Sequence, residues 1–121
     1  MSYLSTSDSY GSTGIQSLYT GFQPYAVEVT VGQKFNTTQN FTHLSVGAGD
    51  NNYQRVTAIY QDTTGGKTVT INGKIVSVWE RVSGTLQEVL SVSIDSFTSN
   101  TVEFNVTTAN ANYSLHIRVW G

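Results

Sequence analysis

The chain has 121 residues, enough for one domain with a core of its own, and no cysteine, which excludes disulfides, thiolate metal sites and cysteine nucleophiles together. Charged residues make up only 12% of it, eight acidic against six basic, for a net charge of -2. The basic residues are scattered singly, so there is no stripe for nucleic acid and no polybasic patch for a membrane surface.

The first 21 residues, "MSYLSTSDSYGSTGIQSLYTG", show no sustained period. Their large apolar residues, Tyr3, Leu4, Tyr10, Ile15, Leu18 and Tyr19, are too scattered to make one face. Residues 1–21 therefore read as lying outside a domain at 22–121, either a frayed terminus or, as is expected, an N-terminal arm for assembly contacts. The segment has neither the basic start nor the apolar run of a signal peptide, so the expected place of synthesis is the cytoplasm. Pro24, the only proline, biases Gln23 to extended geometry and sets the angle at which the chain enters its first strand.

From Tyr25 the period is two. Tyr25, Val27, Val29 and Val31 share one side, as a strand covered on one face requires. Thr42, Leu44 and Val46 alternate before the turn "GAGDNN", and Val56, Ala58 and Tyr60 before "DTTGG". "KTVTINGKIVSVWERV" reads as a hairpin about Asn72-Gly73, a pair suited to the positive φ angles of a type I′ turn. Leu90, Val92 and Ile94, then Val102, Phe104 and Val106, then Tyr113, Leu115, Ile117 and Val119 complete about eight strands. Apolar residues do not recur at helical spacing. The predicted fold is all-β, an antiparallel β-sandwich or jelly-roll-like arrangement.

The chain offers little for catalysis. "TTGGKT" shares Gly66, Lys67 and Thr68 with a phosphate loop, but Gln61 stands where that loop needs its first glycine and a strand follows where a helix is needed. His43 and His116 have neighbours that read as core-facing, so both are expected to point away from the core. A metal or hydrolytic site built on them with Asp50 or Asp95 is weighed and set aside for want of ligand spacing. No G-x-S-x-G elbow activates a serine. The acids Asp8, Glu28, Asp50, Asp62, Glu80, Glu88, Asp95 and Glu103 fall at turns or on the polar side of strands, which gives no glycosidase pair. "GAGDNN" falls short of a calcium loop. No enzyme activity and no cofactor or metal is expected. Trp79 and Trp120, with Tyr53 and Tyr60, read first as core or sheet-end packing, and are the candidates for stacking on a sugar or a partner. N-x-S/T triplets at Asn36, Asn40, Asn105 and Asn112 follow from the Asn- and Thr-rich composition.

"TGFQPYAVEV" resembles the "TGF-x-P-x-x-V" opening of small virion structural proteins of tailed bacteriophages. "HLSVGAGDNNYQRVTAIYQD" is similar to their glycine-turn segment, and "VLSVSIDSFTSNTVEFNVTTANANYSLHIRVWG" to their closing run. The chain departs from the pattern at "TVEFNV", where a Gly-Phe form is expected, and at Tyr25, where a basic residue is usual. The resemblance implies a β-sandwich building block of a phage particle without enzymatic activity. Its expected role is a capsid decoration or cement protein of the virion, a homotrimer whose arm contacts the major capsid protein or neighbouring subunits. Deleting residues 2–19 would then leave a folded domain that no longer binds capsids. The alternative is a tail or fibre component, or a carbohydrate-binding module recognising host glycans through Trp79 and Trp120.

Overall fold

Val, Ile and Thr are stiff at their first side-chain torsion and pack well on a pleated surface, and nearly all of the alternating sequence is strand in the computed structural model. It describes residues 1–32 and 41–121. The strands are β1 (Tyr3–Asp8), β2 (Gly14–Tyr19), β3 (Ala26–Val31), β4 (Thr42–Asp50), β5 (Gln54–Gln61), β6 (Gly66–Asn72), β7 (Val76–Val82), β8 (Thr85–Phe97), β9 (Thr101–Thr108) and β10 (Leu115–Trp120). They form two antiparallel sheets, ordered β1-β10-β3-β4-β5-β6 and β2-β9-β8-β7. The fold is an all-β sandwich. Its core lies between the sheets, where Val27, Val29 and Val31 of β3 and Leu115, Ile117 and Val119 of β10 meet Val76, Leu90, Val92, Val102, Phe104 and Val106.

The eight strands read from the sequence are β3 to β10, and the two beyond that number come from the N-terminal segment. The arm expected at 1–21 is part of the sandwich instead. β1 pairs with β10 from Tyr3↔Trp120 to Asp8↔Leu115, and β2 pairs with β9 from Gly14↔Val106 to Tyr19↔Thr101. The segment thus supplies one edge strand to each sheet. Tyr10, at the corner between them, is buried against Phe104, and Leu4 and Leu18 pack on the core. The physical reason is that an edge strand needs only a few inward side chains to be held, so two scattered leucines and a tyrosine suffice where no long apolar period exists.

The Tyr10 hydroxyl is buried with no hydrogen-bond partner among the described residues, and burial, reinforced by Asp8, pushes its ionisation well above the ordinary tyrosine value. An unpaired buried hydroxyl costs about 1–3 kcal/mol. Tyr10→Phe, which keeps the ring and removes that oxygen, is therefore expected to stabilise the protein by about 1 kcal/mol in a denaturant titration; a loss of stability would mean the hydroxyl has a partner.

Two further expectations change. The Asn72-Gly73 turn does not close a hairpin, because β6 and β7 belong to different sheets and the chain crosses between them there. Gly73 N donates to Gln54 O and Ile75 N to Val92 O, so each flank of the corner is tied to its own sheet. The two-residue hairpin lies one strand later, at Ser83-Gly84 between Val82 and Thr85. Ser83 (φ 51°) and Gly84 (φ 84°) both take the positive φ that a type I′ turn demands. In β4 the inward side is the opposite of the one expected: His43, Ser45 and Gly47 face the core, and Leu44 and Val46 face out. Ser45 accepts the N–H of Ser77 (3.1 Å), capping a donor on edge strand β7.

Candidate functional site

The expected arm contacts divide by direction. Leu4, Tyr10 and Leu18 turn into the core of this chain, whereas Tyr3, Ile15 and Tyr19 are exposed. Tyr3 leans on Trp120 with ring centroids 5.6 Å apart and planes tilted by 52°.

The two tryptophans sit in different places. Trp79 is half-buried on β7; its indole N–H donates to Ser77 Oγ (2.8 Å), and Lys67 Nζ lies 4.5 Å from its ring centroid. It belongs to a polar network in which Lys74 Nζ donates to both Glu88 oxygens (3.1 Å) and to Ser91 Oγ (2.8 Å), and Ser77 Oγ donates to Glu88. A lysine beside a serine suggests a nucleophile and its base. Here both Ser77 and Ser91 are buried and the ammonium is paired with a carboxylate. The network joins β7 to β8 across the register shift at Val78/Trp79, and its role is to satisfy buried polar groups.

Trp120, at the end of β10, faces outward in a row with Tyr3, Ala26 and Asp50. The β4–β5 turn brings Tyr53 beside it, although the two are far apart in sequence. A depression of about 320 Å³ lies between them, lined by Ala26, Ala48, Gly49 and Asp50 among others. Tyr53 is 82% exposed, yet its backbone is fixed. Asp50 Oδ1 accepts the N–H groups of Asn52 (2.7 Å) and Tyr53 (2.9 Å), and Asp50 N donates to Tyr53 O (2.8 Å). Those bonds hold the Asp50 carboxyl below the usual carboxylate range, Tyr53 contributing most. Gln54 then bridges the sheets, donating to Ile94 O (3.0 Å) and accepting from Ile94 N (2.7 Å). Beyond Tyr53 a second depression of about 460 Å³ is lined by Asn52, Arg55 and Asn72, and Arg55 Nε donates to Asn72 Oδ1 (2.8 Å).

The histidines do not meet. His116 is exposed on the outer face of the sheet, as expected, with Nε2 3.4 Å from Ser5 Oγ. His43, expected to point away from the core, is 4% exposed on the inner face and lies among Phe41, Tyr60 and Tyr113. Its Nε2 is 3.0 Å from Tyr113 OH, which donates to Glu80 (2.7 Å). A polar ring faces inward there because Tyr113 and Glu80 give it partners, which the sequence spacing does not reveal. Burial first, then Glu80, pushes the Tyr113 hydroxyl well above its ordinary value. Tyr60, one of the aromatics considered for stacking on a ligand, is also buried; its hydroxyl donates to Asp62 (2.9 Å), which pairs with Arg81 (2.8 Å). The Arg81 guanidinium holds Asp62 far below the usual range.

No set of three or more His, Asp or Glu side chains among the described residues could hold a metal ion. Gly66 opens a strand, not a helix, so "TTGGKT" is a turn at residues 63–65 running into β6. Asn105 lies on β9 and Asn112 is exposed in a turn, while the triplets at Asn36 and Asn40 lie outside the described residues.

A last feature is the middle of the six-stranded sheet's outer face. Leu44 (39% exposed), Val46 (43%) and Ile59 (38%) lie together, Leu44 directly opposite Ile59. Thr30 and Thr57 flank Val46, and Thr68 flanks Ile59. The patch holds methyl groups and hydroxyls and no charge.

No family model matches the chain, and no curated protein or solved structure matches it either.

Proposed function

We propose that the chain is a structural subunit of a bacteriophage particle, a capsid decoration or cement protein that binds the major capsid shell. The observation that carries the reading is the uncharged patch of Leu44, Val46 and Ile59 within a frame of threonines. Contiguous aliphatic surface on a rigid sheet marks a face that a partner covers. The resemblance of "TGFQPYAVEV" to the opening of virion structural proteins names the kind of partner. With Leu4, Tyr10 and Leu18 committed to the core, contact with the shell or with sister subunits of a trimer falls to this face and to Tyr3, Ile15 and Tyr19.

The test is co-sedimentation with undecorated capsids. Wild-type protein is expected to bind saturably. Val46→Asp combined with Ile59→Asp should keep a cooperative thermal melt at a lower midpoint, since both side chains reach solvent but aspartate is poor in strands. At a temperature where it is folded, the double variant should weaken binding about a hundredfold or more, because an unpaired carboxylate would be buried at the contact. Equal binding by the double variant would remove this face from the interface, and failure of the wild-type protein to bind capsids would sink the reading. The depression between Trp120 and Tyr53 favours glycan recognition as a second reading.

A further inference from the structure

We propose that the end of the six-stranded sheet at Trp120 and Tyr53 binds a neutral oligosaccharide, one hexopyranose ring lying in the depression between the two side chains and the next unit continuing past Tyr53. The inference rests on the second reading above and names its ligand class, and its fate is independent of capsid binding.

Aromatic rings are the first argument. Tyr53 is exposed at a turn where it packs no core, and that turn is rigid: Asp50 fixes it on one side and the Gln54 bridge to Ile94 on the other. Trp120 is held by Tyr3 behind it. The Trp120 ring is held in advance and Tyr53 stands on a fixed backbone, which limits the freedom lost on binding, and both rings offer apolar faces to the C–H groups of a sugar ring.

The floor between them is the second argument. Ala26 of β3 and Ala48 of β4 face outward there and keep the floor low between them, with Glu28 and Asp50 beside them as polar neighbours. A flat ring fits such a floor, whereas an apolar peptide side chain would need a deeper pocket.

Polar groups stand ready on both sides of Tyr53. Asp50 Oδ1 is used by the turn, while Oδ2 has no donor among the described residues and remains an ionised acceptor for a hydroxyl. In the second depression Arg55 is oriented by Asn72, which leaves the terminal guanidinium nitrogens and the Asn72 amide nitrogen as donors. Planar carboxylate, amide and guanidinium groups match the paired hydroxyls of a sugar. Glu28 is paired to Arg118, and Asp50 and Asp95 against Arg55 leave the surroundings weakly acidic. That bias favours a neutral ligand over a phosphorylated or acidic one.

The experiment is a glycan array of neutral oligosaccharides of glucose, galactose, mannose and N-acetylglucosamine, with acidic glycans and peptides alongside, probed with the full chain. Neutral positives are then titrated by isothermal titration calorimetry, which needs no tryptophan as reporter. Saturable binding is expected, weakened about tenfold in Tyr53→Ala and at least as much in Trp120→Ala, and unchanged in Trp79→Phe. Should Trp120→Ala fail to fold, Tyr53→Ala decides, because its ring is exposed and its loss leaves the fold intact. The proposal is overturned by an array on which no neutral sugar binds saturably, by binding confined to acidic glycans or peptides, or by affinity that Tyr53→Ala leaves unchanged.

Discussion

Removing residues 2–19 is expected to leave a chain that does not fold. The deletion strips β1 from β10 and β2 from β9, six residue pairs in each case, and takes Tyr10 from between the sheets. Losing a buried aromatic side chain alone costs about 3–5 kcal/mol. That is already a large part of the about 5–15 kcal/mol by which a domain is stable. The loss of Leu4 and Leu18 adds to it, and β9 and β10, whose inward residues include Phe104 and Ile117, become bare edges. Exposed edge strands of Val-rich sequence pair with other chains. Circular dichroism and size-exclusion chromatography should therefore show aggregates or a chain without a cooperative thermal transition. A soluble truncated domain with a sharp melt near that of the full chain would mean that the first 20 residues are an added arm after all. This outcome also separates the two roles of the segment, since only a folded truncation that fails to bind capsids would assign the segment to docking.

How legible these features are depends on the strand. In β3, β5, β9 and β10 the buried residues are Val, Ile, Leu, Phe and Tyr, with Ala58 the one small exception, and alternation alone gives their orientation. In β1 and β2 the inward positions include Thr6 and Gln16 beside Leu4 and Leu18, so the period is blurred in segments that read as serine-rich tail. β4 misleads because its aliphatics face out and its small or hydrogen-bonded residues face in. The corner at Asn72-Gly73 has the chemistry of a hairpin turn, but the choice between returning in the same sheet and crossing to the other is made by Ile75 and Val76, which are buried in the core. Trp120 and Tyr53 stand out individually as aromatics, yet their adjacency depends on the sheet order β10-β3-β4, which no local pattern encodes.

Gly47→Ala is expected to be among the most damaging single substitutions in the protein, although alanine is ordinarily the better residue. Where backbone geometry allows it, replacing glycine by alanine stabilises by about 0.4–1 kcal/mol through the unfolded chain. At position 47 a Cβ would lie 1.8 Å from the Ile75 carbonyl oxygen, 2.5 Å from its carbon and 2.7 Å from its Cα. These are backbone atoms, so no rotamer change relieves the contact. Ile75 cannot retreat easily, because its N–H is bonded to Val92 O (2.9 Å) and its side chain is fully buried. Gly47 cannot retreat either, being paired with Val29 on one side and Val56 on the other. Overpacking a core costs about 1–3 kcal/mol and more where the backbone must move, so a loss of about 3 kcal/mol and a fall in Tm of about 10 °C are expected. An unchanged or raised Tm would show that the crossing from β6 to β7 does not run against β4. The same contact explains why Leu44 and Val46 face outward. A one-residue slip exchanges the faces of a strand, and only the register with Gly47 inward lets the crossing chain pass, which leaves the aliphatics on the surface available to a partner. On the proposed role, Gly47→Ala should for that reason weaken capsid binding only in proportion to the unfolded fraction, whereas Val46→Asp with Ile59→Asp should weaken it about a hundredfold or more in the molecules that are folded.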